Sequence, residues 1–251
     1  MIDDRRNELN ALWTQVYGTT QTYKALGSKG LRDASLTALA NSLFGPLQDL
    51  PLAGLEQKYN EAMAKNYIDY SACGAEVIRY GMQVNGTLMH MISMATTPNI
   101  EVELKTIADN TLLEISELGK DIKMMSAKSI FIIDEEAAAI VEGVHKAFEP
   151  DMGTAPSDLA EAWGIVLEHE DNYISAMNKL GGLSVSHAEL NLAYVSARAA
   201  LSPSGNESDL IQRKSLAAGA FLERARDTLT MGTRHINYAL GYGSLLAFRR
   251  N

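Results

Sequence analysis

Over forty residues near the end of the chain, from Asp209 to Phe248, small side chains recur at every seventh position: Ala218, Ala225, Gly232 and Ala239. Leu222, Leu229 and Ile236 interleave with them at steps of four and three. No proline interrupts the stretch, and Ser208 with Asp209 supplies an N-cap signal. On a helix this pattern is one seam of alternating small and large residues, along which a second helix can approach the backbone closely. Gly232 costs helix propensity in mid-helix, so packing must outweigh local preference there. The seam faces either the chain's own core or a second subunit, and all seven residues are candidates for a subunit interface.

A second stretch of the same kind runs from Leu52 to Ala95. Its main apolar stripe begins at Leu52, Leu55, Tyr59, Met63 and Tyr67, and continues through Tyr70, Cys73, Val77, Tyr80, Val84, Leu88 and Met91. The mean step is about 3.5 residues, the period of a left-handed supercoiled pair. From Ala75 onward a second apolar face appears, with Ile78, Met82, Met89 and Ile92. A helix apolar on most of its circumference is buried on several sides, so Ile78, Met82 and Met89 join the interface candidates. The remaining polar strip, including Glu76, Arg79, Gln83 and His90, reads as a solvated or inter-subunit face.

Around these two stretches the chain reads as helices throughout. A first helix spans residues 4–26 and stops at Gly27–Gly30, and a shorter one runs from Leu31 to Phe44. After the turn at Pro98, one helix, continuous or broken, is expected from Ile100 to Phe148, making a long antiparallel hairpin with the helix before it. Ser129-Ile-Phe-Ile-Ile133 is its doubtful part, because β-branched and aromatic residues cluster there and suit a kink or short strand. Ser157 and Asp158 cap a helix that Gly181-Gly182 should end, and Ser186 should start another. The expected fold class is all-α: an elongated helical bundle with two or three very long helices. It forms a single domain over 1–251, with a possible sub-boundary near 150–157.

Composition narrows the function classes. Hydrophobic residues make up 46% of the chain, enough for a large core. A formal net charge of −9 argues against nucleic acid as a partner, and Arg249 and Arg250 are explained by the dipole at a helix C-terminus. The single Cys73 can form neither an intrachain disulfide nor a multi-cysteine metal site. The charged amino terminus, Met1–Asn10, shows no secretory signal, so cytoplasmic synthesis is expected. No run reaches the roughly eighteen apolar residues that a spanning helix needs.

Chemistry is sparsely marked. Glu142-Gly-Val-His145 is the one Glu-x-x-His sequence, and its pair faces outward. Glu170 and His169 project into the apolar arc of Leu159, Trp163, Val166, Tyr173, Met177 and Leu180, while Glu168 points out. A carboxylate on such a face must be paired or protonated. His169 and Glu170 are therefore the metal or general-base candidates, with a buried polar contact to another helix as the plainer alternative. Glu114 and Glu117 read as ordinary exposed helix charges.

The expected function is a non-catalytic subunit, with no cofactor, that homo-oligomerises into a ring, tube or shell such as a virion component. A pore-forming or membrane-acting bundle and a metal-carboxylate enzyme using Glu170 and His169 are the alternatives.

Overall fold

The computed structural model describes residues 2–28, 33–95, 97–202 and 208–247, with side chains in the last helix described as far as Tyr242. Seven α-helices make up nearly all of it: α1 (Ile2–Ser28), α2 (Ala34–Phe44), α3 (Leu52–Met94), α4 (Pro98–Lys128), α5 (Asp134–Ala147), α6 (Leu159–Leu201) and α7 (Ser208–Ala247). A single 3-10 turn, Leu47–Asp49, sits between α2 and α3. No strand occurs among the described residues, and the fold is an all-α bundle. The expected stop at Lys29-Gly30, the helix start at Leu31, most of the Ser202–Glu207 loop, and Phe248 to Arg250 lie outside the described residues.

Local chemistry sets most boundaries. Asp33 caps α2 by accepting from the Ser35 N–H at 2.8 Å, and Gly45 at φ +85° closes it with an N–H to the Asn41 carbonyl. Pro98 opens α4 in the first turn, where its missing N–H costs nothing. The Asp158 carboxylate accepts from the Ala160 and Glu161 N–H groups, both at 2.8 Å, and caps α6.

The break allowed for in the Ile100–Phe148 segment is present: the segment is two helices, extended at Ser129 and Ile133 with bends at residues 130–132 between them. The β-branched cluster leaves the helix there, although it joins no sheet. Conversely, Gly181-Gly182 does not end a helix: α6 runs unbroken for 43 residues. The reason is tertiary. A Cβ at Gly181 would lie 2.5 Å from Leu12 Cδ2, so the missing side chain admits α1, and burial on both flanks of the pair outweighs the glycine penalty.

The chain divides into two compact units, one of Met1–Leu9, Ser71–Lys179 and Thr230–Asn251, the other of Asn10–Tyr70 and Leu180–Leu229. The 150–157 stretch falls within the first. In the first unit the α3–α4 hairpin is close-packed. Asn85 donates to the Ala108 carbonyl at 2.7 Å, and Gly81 lets Ile115 and Tyr173 approach the backbone. Its core holds Val77, Val84, Leu88, Ile115, Ile122, Tyr173 and Met177, each at most 1% exposed. In the second unit α3 runs antiparallel to α6, with Tyr59 and Asn66 contacting Asn191 and His187.

Candidate functional site

The seam residues are all buried within the chain. Ala218, Leu222, Ala225 and Leu229 belong to the second unit, and Gly232, Ile236 and Ala239 to the first. Gly232 carries the close approach expected of it, since a Cβ there would stand 3.0 Å from Leu9 Cδ2. Ile78 is likewise fully buried, Met82 is partly buried, and Met89 is half exposed.

The polar strip of α3 is not a bare face. The loop after α5 lies along it: Met152 packs on Gly86, Gln83 Nε2 donates to the Asp151 carbonyl at 3.5 Å, and His90 Nε2 stands 3.1 Å from the Pro156 carbonyl. Glu76 pairs with Lys179 at 3.5 Å, and Arg79 stacks on Tyr80. A loop of the same chain thus corrects the solvated or inter-subunit reading at Gln83 and His90, while Arg79 stays exposed and the Glu76 side chain is 44% exposed.

Glu170 is 3% exposed, as its place on an apolar arc requires. Its partner, however, is His235 on α7, whose Nδ1 lies 3.5 Å from Glu170 Oε1. On the other edge of the same ring, Nε2 lies 3.6 Å from Glu114 Oε2, and Glu114 also pairs with Arg234. These spacings are those of ion pairs rather than of well-formed hydrogen bonds. Tyr173 meets the imidazole edge-on with centroids 4.7 Å apart. Burial alone would discharge His235, but the two carboxylates outweigh it and raise its pKa above the usual value. The result is an imidazole clamped between two carboxylates from different helices that favour its protonated form, with its side chain 1% exposed. Such a group can hold a proton and fix helix register; it has no open face to a substrate.

Glu114 was legible only as a surface charge, and it is corrected here: its side chain is 12% exposed. His235 follows Arg234 and precedes the seam residue Ile236, and that adjacency to a buried seam was the one available signal. His169, one residue and about 100° round the helix from Glu170, is half-buried outside the cluster. Burial lowers its pKa, against the pull of Glu168. Among the described residues, no three His, Cys, Asp or Glu side chains are placed to hold a metal ion. Cys73 is a core thiol whose pKa burial pushes up to about 12, and its Sγ reaches the Ala176 carbonyl at 3.3 Å. Glu142 is tied to Lys146 at 2.6 Å and is exposed.

The second unit has its own polar array, which the sequence did not disclose. Lys214 Nζ donates to Tyr59 Oη at 2.6 Å, Tyr59 donates to Asn191 Oδ1 at 3.1 Å, and the Tyr59 ring stacks on Tyr194 at 4.1 Å. Arg198 joins the Tyr194 hydroxyl to Glu56. Deeper in, His187 Nδ1 lies 2.9 Å from Asn66 Oδ1 and the ring stacks on Phe221 at 3.6 Å. Burial, then Arg224 and Lys214, drives the His187 pKa down to about 3, so this histidine is neutral. Burial also lowers the Lys214 pKa.

Among the described residues the surface has several concavities, and two of them have largely apolar walls. In the second unit a groove of about 370 Å³ between α1 and α7 is walled by Trp13, Tyr17 and Tyr23, with Lys24, Glu223 and Arg226 at its rim. In the first unit a groove of about 460 Å³ between α4 and α5 is floored by Ser126, Ala127, Ala137, Ala138 and Val141, with Glu142 and His145 at its edge. Among the described residues no helix is long and apolar enough to cross a membrane. No family model matches the chain, and no curated protein or solved structure matches it either.

Proposed function

We propose that this chain is a non-catalytic structural subunit that associates with copies of itself into a ring, tube or shell, as in a virion or another macromolecular particle. The observation that carries this reading is the outer side of α4. Val102, Leu113 and Met124 recur there every eleven residues, which is three turns with a drift of only about 20°, and they are 64%, 59% and 49% exposed. Each stands about 16 Å from the next along the axis, and together they supply apolar contact points for a neighbouring copy. The seam of α7 is already buried within the chain, so a contact between copies has to use another face. A ring, tube or shell larger than a dimer needs more than one patch on each copy, and the Trp13–Tyr17 groove, with these residues 40% and 68% exposed, offers a second. The buried Glu114–His235–Glu170 cluster, closed to substrate, fits a structural rather than a catalytic role.

Solution mass measured by light scattering at two protein concentrations tests the reading. A discrete multimer is expected, and a double substitution Val102→Glu, Leu113→Glu should reduce its mass while leaving the melting temperature within about 2 °C, since neither side chain is in the core. A concentration-independent monomer in the unsubstituted protein overturns the proposal.

A further inference from the structure

The elbow between α4 and α5 carries the most exposed aliphatic side chain described. Ile130 is 86% exposed and Ile133 60%, and Met124 near the end of α4 is 49% exposed. The elbow is also a built shape. The Phe131 N–H donates to Ser129 Oγ at 3.2 Å, and the Ile133 N–H donates to Glu136 Oε2 at 3.0 Å, so hydrogen bonds hold both ends of the segment. Next to it the α4–α5 groove has a floor of Ser, Ala and Val, and so admits another backbone closely.

Charge decides what fits. Lys120 and Lys128 stand exposed on the α4 side of this apolar strip, and Asp134 and Glu135 stand exposed on the α5 side. A partner of uniform negative charge, such as an anionic membrane or a nucleic acid, would meet the lysines and be repelled by the carboxylates. A second elbow turned by a two-fold axis meets no such conflict, because each basic side then faces an acidic one while the isoleucines meet in the middle. A two-fold contact demands such self-complementarity.

We infer that the α4–α5 elbow is an isologous pairing surface, and that the partner seated on it is the elbow of a second copy of this chain. This rests on the self-association reading above and gives it one contact and a symmetry.

The test uses the full chain. The unsubstituted protein is weighed by light scattering, alongside Ile130→Asp, Ile133→Asp and the single charge reversals Lys128→Glu and Glu135→Lys. All of these sites are exposed, so melting curves should match the unsubstituted protein. The isoleucine variant is expected to lose the pairing step, and each charge reversal to weaken it about tenfold. An equimolar mixture of Lys128→Glu with Glu135→Lys chains is expected to pair again, because every contact across the axis is then opposite in charge. If the unsubstituted protein assembles and all variants assemble equally well, the elbow is not the contact, although self-association stands. Loss in both single reversals without recovery in the mixture overturns the two-fold arrangement. A monomer at every concentration overturns the elbow contact and the self-association reading together, and a monomer that co-floats with phosphatidylcholine vesicles assigns the elbow to a membrane instead.

Discussion

Glu170 shows what one side chain can reveal. Its position on an apolar arc required a partner, and the fold supplies His235, which is itself shared with Glu114. Taking one member out of a buried charge cluster leaves the others uncompensated, at a typical cost of about 3–5 kcal/mol. Glu170→Gln is therefore expected to lower unfolding stability in urea by about 3 kcal/mol, whereas Glu117→Gln, exposed on the same helix as Glu114, should change it by less than about 0.5 kcal/mol. Equal effects from the two would remove the cluster from any account of stability. Gly232 makes a second test at this scale. Its neighbour Leu9 is 4% exposed and has little room to move, so Gly232→Leu overpacks the site and is expected to cost about 1–3 kcal/mol or more.

At the scale of an element, α6 is the instructive case. Its adjacent glycines differ only in what stands opposite them: Leu12 at Gly181, and nothing within 4 Å at Gly182. Gly182→Ala is expected to raise stability by about 0.5–1 kcal/mol through helix propensity alone. Gly181→Ala should gain less or lose, because Leu12 must shift to admit the methyl. Thermal melts of the two single variants check this, and equal gains would mean that α1 does not constrain the position. The α4–α5 elbow is the opposite case: local preference prevails there, and a β-branched run breaks a long helical pattern.

For the whole molecule, two buried histidines make stability depend on pH in opposite senses. His235 has a raised folded pKa, so its contribution is fully present below the unfolded value near 6.5 and is lost as pH rises through the folded value. His187 has a folded pKa lowered to about 3. Below pH about 6.5 the unfolded chain takes up a proton that the folded chain refuses, and stability falls by up to about 1.4 kcal/mol per pH unit. Amide hydrogen exchange should therefore show the second unit opening first on acidification to pH 4–5, and His187→Gln should remove that slope. On the alkaline side His235→Gln should flatten the loss in the first unit. A slope unchanged by either substitution would show that the titrating groups lie elsewhere.

The amino-acid sequence by itself determined the helical class, the long helices α3 and α7, the Asp158 cap of α6 and the close-packing seam. These are local or periodic properties: a 3.5-residue stripe and a capping carboxylate act within a few turns, and here the packing agrees with them. It also determined that Glu170 could not stand alone. Only the tertiary structure decided who its partner was. Glu114 and His235 are separated by 121 positions, and only packing turns an ordinary surface-patterned glutamate into a buried counter-ion. Packing likewise decided that Gly181-Gly182 would lie inside a helix and that the loop after α5 would cover part of the polar strip of α3. It also buried the α7 seam within the chain and left the outer line of α4 and the elbow in water. The physical reason is the same each time. A residue's own preferences are worth about a kilocalorie per mole, and the neighbours that burial assembles, drawn from anywhere in the chain, can outweigh them.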